Sequence, residues 1–481
     1  MQLNDPSLLR SQWLIDGAWL GEGVLPIKNP ASGELLAHVP NGGAAEATLA
    51  VEAAARAQKA WAKLTAKQRG AILRNWFELI IAAREDLARI MTSEQGKPLA
   101  EARGEIDYAA AFIEFYAEEG KRIYGEVIPS PWPDARILTL RQPIGVMAAI
   151  TPWNFPAAMI TRKCAPALAA GCACVIKPSP ETPLTALALG ELAQRAGLPA
   201  GVLNIVTGDA AAIGKVWCEH PLVRFVGFTG STEIGKLLMR QAASGVKKVG
   251  LELGGNAPFI VFEDADLDAA VSGALAAKYR NMGQTCVCAN RLYVQEKVYD
   301  AFAEKLAKAV SALKVGDGMQ DGVQQGPLIT QKAVEKVEAH IKDALEKGAR
   351  VLTGGKRHEL GGTFFEPTVL ADVTRDMFVA REETFGPLAP LFRFADETDV
   401  IEQANATPYG LAAYFYARDL GRVFRVAEAL DYGMVGVNSG IISTEAAPFG
   451  GVKQSGLGRE GSRHGIEEFV EIKYVLLGGL A

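Results

Sequence analysis

The chain has almost nothing with which to hold a metal ion. Its five histidines are scattered, and its six cysteines form no C-x-x-C pair. H-E-x-x-H does not occur, so a protein-held metal is not expected. The cysteines also lack the spacing of a disulfide framework, which points to a reducing compartment. No apolar run reaches the ~18 residues that crossing a bilayer takes. The opening segment, MQLNDPSLLRSQWL, lacks the basic-then-apolar order of a signal peptide. A cytoplasmic protein with no membrane partner is therefore expected, in which the sequon Asn405-Ala406-Thr407 is silent. Basic charge is not in excess either: a net charge of −5 argues against nucleic acid as a partner. Internal repeats and low-complexity segments are missing as well. What is present is a 481-residue chain, 49% hydrophobic and 22% charged, an ordinary globular composition. It is too long for one core, so two or three domains are expected.

Residues 1–43, rich in Gly and Pro, read as an irregular lead-in with short strands. From Ala44 to about Arg122 the apolar spacing is helical. Ile72, Trp76, Leu79 and Ile80 share one face, and Ile106, Ala110 and Ile113 share another. Strict alternation then marks two lone strands. Leu138 and Leu140 interleave with Thr139 and Arg141; far downstream, Val470, Ile472 and Tyr474 interleave with Glu471 and Lys473. Together they suit a small protruding sheet whose edges subunit association would cover. Between Val146 and Leu253, strand candidates at 146–151, 173–177, 203–206, 223–229 and 247–253 alternate with helical runs. Cys172 and Cys174 belong to one of these apolar runs and read as core. The pattern resumes after Pro258 with candidates at 259–262, 291–295, 350–352, 388–394, 411–416 and 434–438. Repeated βαβ units predict two α/β domains with parallel sheets. Ligands then bind beyond the carboxyl ends of the strands.

The residues at those ends carry the chemistry. The first strand runs into Pro152-Trp153-Asn154-Phe155-Pro156, where Asn154 either donates to a developing oxyanion or forms a Pro-bracketed turn. The second ends in Lys177-Pro178-Ser179-Pro180. NAD-specific dinucleotide sites carry an acid near here; a cation and a hydroxyl can instead accept a 2′-phosphate, although an ordinary polar turn also fits. The fourth runs into FTGSTEIGK, a Gly-rich turn able to hold a pyrophosphate at a helix N-terminus. It matches G-x-x-x-x-G-K, but Leu237 stands where a P-loop needs Ser or Thr, which excludes an NTPase. A formal G-x-G-x-x-G at 456–461 follows a polar loop and reads as accidental. The fifth strand ends in Leu251-Glu252-Leu253. Two leucines would raise a carboxyl pKa toward general-base work, or Glu252 is a paired structural acid. Glu383, within EETFGP, reads by itself as a solvated turn carboxylate. The stretch RNMGQTCVCANR, Arg280 to Arg291, carries Cys286 and Cys288. A helical run over 267–282 precedes it, broken by Gly283 and Thr285, and a strand follows. A thiol at such a turn is a nucleophile if a base is near; otherwise both are packed apolar cysteines. Cys288 could also close a strained, reversible disulfide onto Cys286, or be inert.

Taken together, TPWNFP, KPSPETP, FTGSTEIG, LELGGNAPFIV, GQTCVCANR, EETFGP and PFGGVKQSGLGRE resemble the aldehyde dehydrogenase superfamily over nearly the whole chain. In wording and length they look closest to its bacterial succinate-semialdehyde dehydrogenases. The resemblance implies an α/β fold with a Rossmann-like cofactor domain (1–123 and 144–254) and an α/β catalytic domain (255–448). A small oligomerisation segment (124–143 and 449–481) would complete a homotetramer, a dimer of dimers. It implies Cys286 as nucleophile, the Asn154 amide and the Cys286 N–H as oxyanion hole, and Glu252 as the base that hydrolyses a thioester. It implies NADP as cofactor, with NAD as a lesser substitute. Trp153, Asn154, Lys177, Pro178, Ser179, Pro180, Gly230, Ser231, Leu253 and Phe385 would line it, and Glu383 would hold the nicotinamide ribose. Pro180 stands where family members with strong NAD use commonly carry a Glu that would repel a 2′-phosphate; Glu181, one place on, departs from the pattern. The implied substrate is a short semialdehyde, succinate semialdehyde first and glutarate semialdehyde second. Arg162, Arg291 and Ser443 would hold its carboxylate, unless both arginines make structural ion pairs. The other classes are a thiol hydrolase or CoA-dependent acyl transferase on the same cysteine, and a non-catalytic binding protein. Glu252 favours water over CoA, and Cys286, Glu252 and Asn154 together speak against the latter.

Overall fold

The computed structural model describes residues 1–480. Its centre is set by runs that are apolar without alternation. Val146–Ile150 and Ala173–Lys177 are buried at every position, the expected state of parallel strands covered on both faces. They lie mid-sheet in an eight-stranded layer. Val223–Thr229, then Lys248–Glu252, extend it on one side, and Leu203–Ile205 on the other. The lead-in contributes here too: Trp13–Ile15 pairs antiparallel with Leu203–Ile205, and Ala18–Leu20 follows it.

The helical layer consists of Ala44–Trp61, Ala66–Ala82, Arg84–Gln95 and Leu99–Glu119. Thr65 and Gln68 start the second of these with a reciprocal capping box. Trp76, Ile80, Ile106, Ala110 and Ile113 are buried in the large core, with Ile72 and Leu79 at its margin.

A second, seven-stranded sheet runs in the order Arg350–Thr353, Thr368–Ala371, Leu388–Phe394, Ala289–Gln295, Ala257–Val261, Ala412–Tyr416, Met434–Val437. Every neighbouring pair is parallel except the first. Thr368–Ala371 was not legible in the sequence: four buried residues are too few to show a period.

The two alternating segments do find each other. Arg136–Pro143 and Val470–Leu477 pair antiparallel along their whole length, with Val127–Ile128 on the far edge of the first. The segment 449–481 nevertheless divides. Gly456–Leu457 leaves the small sheet and pairs antiparallel with Leu251 and Glu252 at the edge of the eight-stranded one. Its G-x-G-x-x-G is thus no phosphate loop. Gly456 is needed because a Cβ there would overlap the Leu251 carbonyl oxygen. Among the described residues no helix is long and apolar enough to cross a membrane.

Candidate active site

Strand ends from both large sheets meet at one cleft of about 300 Å³. Val146–Ile150 delivers Trp153 and Asn154, Val223–Thr229 delivers Gly230 and Ser231, and Lys248–Glu252 delivers Glu252 and Leu253. The second sheet's loops bring Cys286, Glu383 and Phe385, and the helix Gln331–Glu346 brings Lys336.

The nucleophile turn is built from backbone that few residues accept. The helix expected over 267–282 ends at Tyr279, because Asn281, Met282 and Gly283 are left-handed (φ 51°, 56° and 73°). Asn281 makes that conformation useful. Its amide nitrogen donates to the carbonyls of Asn154 (3.0 Å) and Gln284 (3.2 Å), and its oxygen accepts from Gln95 (3.0 Å). Asn154 donates to the same Gln284 carbonyl (3.1 Å), and buried Lys97 donates to the Asn154 carbonyl (2.7 Å). The turn and Asn154 are therefore tied together. The Asn154 amide keeps one N–H for a ligand, and the Cys286 N–H has no acceptor among the described residues.

Cys286 is half-buried. Burial pushes its thiol up to about 12 against the opposing pull of Arg162, so the free thiol is neutral at physiological pH and needs a base. Glu252 lines the same cleft. Its carboxyl is pushed up to about 8 by burial and by the Glu460 carboxylate, and one of its oxygens has no partner. Glu460 is itself held below the ordinary carboxylate range: burial works against ionisation, but ion pairs with Arg162 and Lys163 outweigh it. Glu460, the last residue of the PFGGVKQSGLGRE motif, arrives with the Gly456–Leu457 edge; its sequence surroundings gave no sign of its pairing with Arg162 and Lys163. Cys288 is buried, with its thiol 3.1 Å from the Lys278 carbonyl and its pKa raised by burial.

The remaining features suit a dinucleotide. Gly230 and Ser231 precede the twelve-residue helix Thr232–Ala243, which Ser231 caps; a Cβ on Gly230 would overlap the Phe228 ring. Trp153 and Phe385 meet edge to face at 5.6 Å as an apolar wall. Glu383 is not the solvated charge that its turn alone suggests. It lines the cleft, accepts from the Gly255 N–H (3.2 Å), and is pushed by burial to about 7, which leaves a carboxyl oxygen for a diol. Lys177, Pro178, Ser179 and Pro180 stand outside the cleft wall but beside it: Lys177 is in register with Ile150, and its carbonyl accepts from Thr151 (3.0 Å).

One of the two substrate arginines needs correction. Arg291 does not reach the cleft. Its buried guanidinium donates to the carbonyls of Asn256, Gln403 and Ala404 and to the Tyr432 and Tyr293 hydroxyls, at 2.8–3.3 Å. No donor is left for a ligand. Arg162 is buried beside the site, paired with Glu460 and 4.3 Å over the Phe449 ring, and its Nη2 has no hydrogen-bond partner. A further guanidinium, wholly unpaired, belongs to Arg280, which was not among the expected site residues. Among the described residues Arg280 has no hydrogen-bond or ion-pair partner. It lies 5.0 Å over the Phe155 ring and shares a small hollow with Thr285 and Ser443. The available signal was its position six residues before Cys286, at the point where the helix ends.

A family model described as the aldehyde dehydrogenase family matches residues 19–475. The chain is 66% identical to succinate-semialdehyde dehydrogenase [NADP(+)] GabD of Escherichia coli (strain K12), covering 99% of this chain and 100% of that one. It is 62% identical to a glutarate-semialdehyde dehydrogenase of Pseudomonas aeruginosa, over 100% of both. The crystal structure of an E. coli NADP-dependent enzyme superposes with a TM-score of 0.98 at 65% identity, covering 99% of this chain and 100% of that one.

Proposed function

The chain belongs to the aldehyde dehydrogenase family, and on that premise we propose that it oxidises succinate semialdehyde to succinate with NADP. The observation that carries the reading is the convergence of Cys286, Asn154, Glu252 and Glu383 on one cleft. The neutral Cys286 thiol gives up its proton to water in the cleft, favoured by the Arg162 charge, and the thiolate adds to the aldehyde carbon. The developing oxyanion accepts from the Asn154 amide and the Cys286 N–H, donors worth a few kcal/mol in comparable sites (~3 kcal/mol each). Gly230, Ser231, Trp153, Leu253 and Phe385 hold the cofactor in the cleft, Glu383 its nicotinamide ribose, and Lys177 and Ser179 the 2′-phosphate beside it. A bound NADP would supply the hydride acceptor, and loss of that hydride would leave a thioester on Cys286. Glu252 then deprotonates the water that hydrolyses it.

Arg280 and Ser443 anchor the substrate carboxylate, and Arg162 adds positive potential from beside the site. Glutarate semialdehyde, one methylene longer, is the second substrate. A relative of equal coverage bears that name, and one methylene separates ligands by only ~1–3 kcal/mol. The same reading makes the protein a cytoplasmic homotetramer, a dimer of dimers. The test compares succinate semialdehyde with butanal, which lacks the carboxylate, by NADPH absorbance. Wild type is expected to favour the semialdehyde at least about a hundredfold in kcat/KM, from a lost charge-assisted pair of ~3 kcal/mol. Arg280→Ala should remove most of that preference, mainly through KM. Equal kcat/KM values in wild type, or a preference untouched by Arg280→Ala, would contradict the anchor.

A further inference from the structure

The loop after Ala173–Lys177 folds back on itself. Residues 179–182 make a β-turn closed by the Thr182 N–H on the Ser179 carbonyl (3.3 Å). Pro180 occupies its second position, where a fixed φ suits the turn. The turn brings Glu181 over Ser179, and the buried Ser179 hydroxyl donates to the Glu181 carboxylate. Lys177, two residues earlier, is also buried. Its ammonium donates to the Pro178 carbonyl (3.0 Å) and has no other acceptor among the described residues, so two N–H groups are unused. The carboxylates that bear on it are Glu181 and Asp209. Asp209 is committed as the N-cap of Ala210–Glu219, accepting from Ala211 and Ala212. Glu181 is half-buried, and its only side-chain partner among the described residues is Ser179. An ammonium with spare donors beside a buried hydroxyl fits a phosphate dianion, and a carboxylate bound to that hydroxyl competes with it.

Resting on the cofactor reading above, we propose that Glu181 sets how strongly this chain prefers NADP over NAD, by holding Ser179 as an internal stand-in for the 2′-phosphate. Binding NADP breaks the Ser179–Glu181 hydrogen bond and brings a dianion toward an anion. Binding NAD does neither, because a ribose 2′-hydroxyl can donate to the same carboxylate. Glu181 therefore narrows the gap between the two cofactors without excluding either. Pro180 takes part by fixing the turn and need not touch the phosphate.

The test needs no turnover. Dissociation constants of 2′,5′-ADP and 5′-AMP, which differ by the 2′-phosphate alone, are measured calorimetrically on the full-length protein. Glu181→Gln should tighten 2′,5′-ADP by about three- to fivefold, the upper part of the range for one partly screened charge, and change 5′-AMP by less than about twofold on the same grounds. In a Ser179→Ala background the gain should shrink, because the released hydroxyl is then absent. If Glu181→Gln tightens both ligands equally or neither, while Lys177→Met weakens 2′,5′-ADP alone, the role of Glu181 is wrong and the cofactor site stands. If Lys177→Met leaves 2′,5′-ADP unchanged, the cofactor site and the role of Glu181 fall together.

Discussion

Cys286 and Glu252 line one cleft, and each is held there in its neutral form. Burial keeps the thiol neutral, near 12, and keeps the Glu252 carboxyl near 8. The base form of a carboxyl exists only above its pKa. Where thioester hydrolysis limits turnover, kcat should therefore climb as pH rises through about 8 and then level off. Glu252→Gln should flatten that limb and leave a burst of NADPH from the first turnover. A kcat independent of pH between 6 and 9 in wild type, read by stopped-flow absorbance, would remove Glu252 from the base role. Arg291 teaches the opposite lesson about single residues. It follows Cys286 by five positions and has the right chemistry for a carboxylate, yet its donors are spent on three carbonyls and two hydroxyls. Sequence proximity cannot show whether a guanidinium is already saturated; only the packing around it can.

At the scale of elements, the parallel strands were legible because their residues are apolar on both faces, and the strand-end motifs followed from them. The nucleophile turn was not legible. Three consecutive left-handed residues, two of them not glycine, leave no periodic trace, and the expected helix therefore overran by three residues, from Tyr279 to Met282. Nor was the edge strand Gly456–Leu457, which pairs by close backbone approach and not through side chains. The turn makes a sharp demand at Gly283. Its φ is 73°, and a Cβ would overlap the carbonyl oxygen of Gly386, in the loop that carries Glu383 and Phe385. Gly283→Ala should therefore disturb the thiol and the ribose carboxylate together. We expect a loss of at least ~2 kcal/mol in stability, from the left-handed strain and the clash, with kcat reduced and KM for NADP raised. Thermal melts and steady-state kinetics check this. A variant with wild-type melting and a change in one kinetic constant alone would show that the two loops are not coupled there.

At the scale of the whole molecule, two α/β layers face each other across one cleft, and the small three-stranded sheet stands apart from both large ones. Its strand Val470–Leu477 exposes Ile472 (65%) and Tyr474 (58%) on a free edge, surface that a monomer gains nothing by showing water. If the proposed tetramer forms through this edge, Ile472→Lys with Tyr474→Asp should lower the mass measured by light scattering to that of a smaller species. An unchanged mass would place the interface elsewhere. In the proposed mechanism the aldehyde is oxidised while bound to Cys286. The most direct measurement is acid-quench mass spectrometry of the Glu252→Gln protein mixed with succinate semialdehyde and NADP. The account predicts a succinyl group on the peptide bearing Cys286, appearing with the NADPH burst and absent from Cys286→Ala. NADPH formed at the wild-type rate with no acyl group on that peptide, or with one on another residue, would contradict it.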